Sequence, residues 1–213
     1  MPTPVRRFAA AAALIGWAAL ALQLVLSIGL ATAGGRPAGW GVFMYLGYFT
    51  ILTNLLAALA LTAAATVAQG ALWRFFRRPG VASAIGANIA VVGLVYFFVL
   101  RHIWNPLGLL WLADVQLHYL MPVLFLVYWW IAVPAHGLRG GDIPHWWTYP
   151  LGYLVYALVR GAIAGVYPYP FIDVGALGYG RTALNAVGVL IGFSLVAALL
   201  VAIGRKKPTP KKV

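Results

Sequence analysis

Long apolar runs, cut off sharply by glycine, proline and arginine, leave this chain few ways to fold. About 20 consecutive apolar residues form a helix that crosses the hydrocarbon core of a bilayer. Inside lipid every backbone N–H and C=O needs a partner within the protein, which favours helices. Six candidate spans emerge, over 8–33, 42–69, 82–103, 109–133, 146–166 and 181–203. Between them fall Gly34-Gly35-Arg36-Pro37, Arg77-Arg78-Pro79-Gly80, Asn105-Pro106, the stretch from Pro134 to Pro144, Pro168 with Pro170, and Gly204. Only 8% of the 213 residues are charged and 63% are hydrophobic, against about 25% charged in soluble domains. The expected fold is an all-α polytopic membrane protein, a single six-helix domain over 1–203 followed by a basic, disordered cytoplasmic tail over 204–213.

The net charge of +12 comes from 15 Lys and Arg against Asp114, Asp142 and Asp173. Arg6, Arg7, Arg74, Arg77, Arg78, Arg139 and five tail cations share one set of span ends. The other ends carry Arg36, Arg101, Arg160 and Arg181. This asymmetry puts both termini in the cytoplasm. A nucleic-acid reader would spread its cations over a folded surface, so nucleic acid is not an expected partner. Trp40, Trp104, Trp111 and Tyr167 on one side, and Trp73, Trp129, Trp146 and Trp147 on the other, form the usual interfacial belts. Ala31-Thr32-Ala33 imitates a signal-peptidase site, but the apolar run before it is too long for a signal peptide, so an uncleaved first span is expected.

With no cysteine, disulfides and thiolate chemistry are absent from the options. His102 and His118 stand far apart without a single Glu, so no metal site and no cofactor are expected. His136 and His145 beside Asp142 read as loop and cap residues. Leu94-Val95-Tyr96 before Arg101 and Leu154-Val155-Tyr156 before Arg160 form a faint repeat. No inverted repeat or broken helix pair, the pointer to a secondary transporter, is visible.

Two residues stand out against this background. Thr50 and His118 lie inside apolar runs, where polar or ionisable groups are costly and mark functional sites. Counted from Val42 and Leu109 at 1.5 Å per residue, they lie roughly 12 and 13 Å deep. Asp114 is one helical turn before His118 and shares its face, where it orients the imidazole or else neutralises an arginine. Thr53 and Asn54 follow Thr50 by one turn. Arg101 and Arg160 sit near outer span ends, placed to pair with Asp114 or Asp173 or to hold an anionic headgroup. A hydroxyl beside a histidine base permits acyl transfer, given an oxyanion donor for which Asn54, Arg101 and Arg160 are candidates. The plainer readings are a threonine packing between helices and a histidine in an interhelical hydrogen bond. Asn88, Asn185, Gln23 and Ser27 read as helix-packing groups.

Tyr48-Phe49-Thr50-Ile51-Leu52-Thr53-Asn54, with Asp114-x-x-x-His118-x-x-x-Pro122 further on, resembles the androgen-induced and androgen-dependent membrane protein family. Tyr167-Pro168-Tyr169-Pro170-Phe171-x-Asp173 looks like its bacterial six-span relatives. The resemblance implies an intramembrane threonine hydrolase acting on fatty-acid esters of hydroxy fatty acids. It implies Thr50 as nucleophile and His118 as the essential histidine, with Asp114 where relatives carry a polar residue. The expected protein is therefore a lipid-ester hydrolase with catalytic Thr50, His118 and Asp114, and with Asn54, Arg101, Arg160 and Asp173 near a substrate drawn from the bilayer. Its rivals are a small transporter relaying protons through Asp114, His118 and Arg160, and a non-catalytic lipid-binding protein.

Overall fold

The computed structural model describes residues 2–134 and 138–207, and all regular structure among them is helical. His136 and the tail from 208 onward lie outside the described residues. In chain order the helices are α1 (Thr3–Ala33), α2 (Ala38–Leu46), α3 (Phe49–Ala65), α4 (Ala71–Phe76), α5 (Pro79–Phe98), α6 (Leu109–Val115), α7 (Met121–Ala132), α8 (Ile143–Trp146), α9 (Thr148–Ala164) and α10 (Val174–Lys206). A π turn, Gln116–Leu120, joins α6 to α7, and Pro170–Ile172 forms a 3₁₀ turn before α10.

Thr3–Ala33, Pro79–His102, Leu109–Ala132 and Val174–Lys206 are long and apolar enough to cross a membrane, and the bent pair α2–α3 adds a fifth if it is one span. The remaining expected span, over 146–166, corresponds to α9, whose 17 residues reach only about 25 Å at 1.5 Å each. Leu14 and Val25 on α1, Ile163 on α9, and Leu184, Ile191 and Leu195 on α10 are exposed. An apolar outer surface on apolar helices is compatible with an integral membrane protein and would be a liability in water.

Small residues set the packing. Ala9, Ala12 and Ala13 of α1 bury against Ala57, Ala60 and Ala64 of α3. Short side chains let backbones approach closely where lipid removes the hydrophobic drive for association. Phe193, Ala197 and Leu200 of α10 pack with Trp129 of α7 and Val91 of α5 in a second cluster.

Two boundaries differ from the sequence reading. The expected tail at 204 begins inside α10, which continues through Lys206. Lys207 then turns inward, its Nζ donating to the carbonyls of Trp129 at 2.9 Å and Val133 at 3.0 Å. The second difference is larger: the expected unbroken span over 42–69 bends by 76° between α2 and α3.

The bend has a physical cause in α9. Gly47 N–H bonds to Met44 and Tyr48 N–H to Tyr45, three residues back, so the regular i to i−4 ladder lapses. The carbonyls this frees at Phe43, Leu46 and Gly47 accept from Arg160 Nη2 at 2.9 Å, Tyr156 Oη at 3.2 Å and Tyr153 Oη at 2.9 Å. Inside a bilayer a broken helix survives only when the protein supplies such partners. Gly47 lets the guanidinium approach this closely: a Cβ would lie 2.6 Å from Arg160 Cζ and displace it. The break puts Thr50 at the second position of a new helix.

Candidate active site

Thr50 occupies the first turn of α3, where backbone N–H groups have no partner in the helix. Its N–H donates to Tyr169 Oη at 3.3 Å instead. Its Oγ1 lies 3.3 Å from His118 Nε2 and 3.4 Å from Tyr169 Oη. The residue is 7% exposed and lies close to the positive end of the α3 dipole.

His118 sits in the π turn between α6 and α7. Such turns insert an extra residue, re-aim side chains and recur at functional sites. Pro122 helps open the helix there, because it has no N–H for the His118 carbonyl one turn back. His118 Nδ1 lies 3.0 Å from the Asp114 carbonyl and 3.2 Å from Asp114 Oδ1. Asp114 Oδ2 accepts a hydrogen bond from Tyr96 Oη, and the Tyr96 ring stacks on the imidazole with centroids 4.0 Å apart. One assignment of protons satisfies the whole chain. Nδ1–H donates to Asp114, Nε2 accepts from the Thr50 hydroxyl, and the Tyr169 hydroxyl donates to Thr50 Oγ1.

Tyr169 arrives from the connection between α9 and α10. Pro168 and Pro170 flank it and hold the chain extended, with Tyr169 at φ −138° and ψ 142°. Asn185 Nδ2 donates to the Phe171 carbonyl at 2.9 Å and pins the segment to α10. Gly161 leaves the space that the Tyr167 ring fills. Burial pushes the Tyr169 phenol pKa above its ordinary value, an effect its hydrogen bonds with Thr50 partly offset. The group is therefore a neutral donor at physiological pH.

A cavity of about 530 Å³ is lined by Thr50, His118, Asp114, Tyr96 and Tyr169 and reaches Arg36, Trp40 and Trp104. Arg36 and Trp104 are exposed, and the Arg36 guanidinium lies over the Trp40 ring at 4.9 Å. Gln23 and Ser27 belong to the same wall. A smaller cavity of about 100 Å³, bounded by Val91, Val92, Leu154, Leu190 and Phe193, lies on the other side. Thr50, Tyr169 and Leu100 line both.

The structure brings Thr50, His118 and Asp114 together and distributes the other expected site residues elsewhere. Asn54 turns away from the cavity, its Nδ2 donating to the carbonyls of Thr50 at 2.8 Å and Leu117 at 3.2 Å. It ties α3 to the π turn and so fixes the distance between the Thr50 and His118 side chains. Arg101 is exposed and lies over the Phe97 ring at 3.7 Å. Arg160 is buried at the α2–α3 bend, over Phe43 at 3.8 Å. Asp173 caps α10 by accepting from the Ala176 N–H at 3.1 Å. The expected pairing of these arginines with Asp114 or Asp173 is replaced by aromatic and carbonyl contacts; among the described residues the basic side chain beside Asp114 is His118, an ion pair only when the imidazole is protonated. The described residues contain no group of three or more metal-ligating side chains. Tyr96, Tyr169 and Arg36 are the site residues that sequence reasoning did not single out.

No protein-family model, curated protein or solved structure matches this chain.

Proposed function

We propose that this chain is a six-span intramembrane hydrolase that cleaves a lipid ester with Thr50 as nucleophile and His118 as general base. The observation that carries the reading is the contact of Thr50 Oγ1 with His118 Nε2 at 3.3 Å, on the wall of a cavity large enough for a lipid arm. Nucleophile, base and orienting carboxylate stand in the order that activates a hydroxyl. The resemblance of the Thr50 and His118 segments to the androgen-induced family supports the same assignment.

In this reading the acyl chain enters from the bilayer and the polar end stays near Arg36. Thr50 Oγ attacks the ester carbonyl carbon while its proton passes to His118 Nε2. Asp114, itself held by Tyr96, stabilises the imidazolium through Nδ1–H. Collapse of the tetrahedral intermediate expels the alcohol, which takes the proton from Nε2. Water then repeats the sequence on the acyl-threonine and releases the fatty acid. The substrate is a fatty-acid ester of a hydroxy fatty acid or a similar lipid, and no metal or cofactor takes part. α9 completes the six spans, its short length met by local thinning of the bilayer, both termini face the cytoplasm by the cation asymmetry, and the membrane is a bacterial inner one.

The bend between α2 and α3 favours a second reading, since broken helices mark transporter sites. Against it, Arg160 closes the bend and does not join Asp114 and His118 in a relay. The deciding assay follows release of fatty acid from a palmitate ester of hydroxystearate by purified protein in lipid vesicles. Turnover that disappears in Thr50→Ala and in His118→Ala supports hydrolysis. Equal rates in all three proteins, or none in the folded wild type, would remove the reading.

A further inference from the structure

We propose that Tyr169 is a catalytic residue that, together with the Thr50 N–H, binds the carbonyl oxygen of the ester as it becomes negatively charged. The inference rests on the hydrolase reading and concerns the part of the site that it leaves open, the oxyanion donor. None of the three candidates legible in the sequence is placed to act. Asn54 donates to backbone carbonyls behind Thr50, Arg101 is exposed over Phe97, and Arg160 is committed to the α2–α3 bend.

Tyr169 Oη, by contrast, lies 3.3 Å from the Thr50 nitrogen and 3.4 Å from Thr50 Oγ1. When Thr50 Oγ bonds to the carbonyl carbon, the former carbonyl oxygen sits on the same carbon as Oγ. A hydroxyl already 3.4 Å from Oγ1 then needs only a rotation of its O–H to reach that oxygen. Donors effective in such sites lie about 2.7–3.1 Å from the developing anion. The resting contact between the Thr50 N–H and Tyr169 Oη keeps both groups at the site before substrate arrives, and each is released to the oxyanion when it forms. The start of α3 supplies a favourable dipole at the same point.

The position is built, not incidental. Tyr169 is 9% exposed, stacked on Phe171 with centroids 5.1 Å apart and edge-on to Tyr48 at 5.8 Å. The two flanking prolines and the Asn185 bond restrict the backbone that carries it. Its place on the shared wall of both cavities lets an ester lie across Thr50 with one arm on either side.

The step balances without another reagent. The Oγ–C bond forms, the carbonyl π pair moves to oxygen, and the Thr50 proton goes to His118 Nε2. Tyr169 keeps its own proton and only donates a hydrogen bond. This separates it from His118, whose role requires a proton to leave and return.

The test compares wild type, Tyr169→Phe, Thr50→Ala and His118→Ala with p-nitrophenyl butyrate as substrate and a boronic acid as mimic of the tetrahedral intermediate. Tyr169→Phe is expected to lower kcat by about 10²–10³-fold with KM nearly unchanged. Boronate affinity should fall with kcat, whereas affinity for butyrate, the product, should not. A kcat within twofold of wild type in folded Tyr169→Phe, beside complete loss in Thr50→Ala, overturns the role of Tyr169 and leaves the hydrolase standing. Turnover that is indifferent to Thr50→Ala instead removes the hydrolase reading and this inference with it. Should Tyr169→Phe fail to fold, 3-fluorotyrosine in place of Tyr169 preserves the shape and makes the donor more acidic; kcat must then change by more than twofold, and an unchanged kcat contradicts the proposal.

Discussion

Tyr96 lies flat on His118, with ring planes 18° apart, and its hydroxyl donates to the same aspartate that bonds the imidazole. Stacking and hydrogen bonding thus fix the His118 imidazole from its face and through its Asp114 partner. Removing only the hydroxyl, in Tyr96→Phe, keeps the stack and frees Asp114. We expect turnover to fall by about tenfold, in line with partners one shell from a reacting group. Asp114→Asn should cost about 10²–10⁴-fold, the range for a disabled general base. Steady-state kinetics on folded variants reads both; losses that multiply in full in the double variant Tyr96→Phe/Asp114→Asn would place the two residues outside a common network.

Arg36 is the cation on the wall of the larger cavity. Arg36→Ala should raise KM several-fold for an ester ending in a carboxylate, with kcat kept. An uncharged ester of equal length should show no change. Matching KM shifts for both substrates would mean that Arg36 shapes the cavity and does not read charge.

Arg160 completes the backbone of a broken helix, and its Nε and Nη1 have no hydrogen-bond partner among the described residues. Arg160→Met preserves much of the volume but leaves the Phe43 carbonyl buried and unpaired. An unsatisfied buried carbonyl costs about 1–3 kcal/mol, so the thermal midpoint in detergent should drop. Because the bend places Thr50, activity should fall as well. A variant with lower activity and an unchanged midpoint would point to direct substrate contact by Arg160.

Lys207 gives a pH signature. Burial pulls its pKa from 10.5 down to about 8. The folded chain therefore loses this proton first, and between these values the unfolded chain holds more protons. Stability rises with pH wherever the unfolded state binds more protons, so this group adds stability as pH climbs from about 8 toward 10.5. Relative to Lys207→Met, wild type should gain in thermal midpoint between pH 7.5 and 9.5. Parallel midpoints across that interval would show that the ammonium keeps its ordinary pKa in the fold.

The helices were legible because apolar runs and their breakers follow directly from what lipid permits. Thr50, His118 and Asp114 were legible because polar groups within such runs are rare. The bend at Gly47 left no trace in hydropathy, since the run is apolar on both sides of it. Its cause lies in Tyr153, Tyr156 and Arg160, more than a hundred residues away. Depths counted along a straight second helix therefore described the wrong path, although the Thr50 and His118 side chains still meet. Tyr96 and Tyr169 were hidden for a different reason. In a chain with 11 tyrosines, most belong to interfaces and packing, and only tertiary contacts distinguish these two. Arg36 looked like any cation at a span end until the cavity reached it.

Covalent labelling tests the central claim most directly. Detergent-solubilised wild type, Thr50→Ala, Thr53→Ala and His118→Ala would be treated with a fluorophosphonate and mapped by peptide mass spectrometry. An activated Thr50 predicts an adduct on Thr50 in the wild type and in Thr53→Ala, and none in Thr50→Ala or His118→Ala. A folded wild type without an adduct, or an adduct at Thr50 that persists in His118→Ala, would contradict the account.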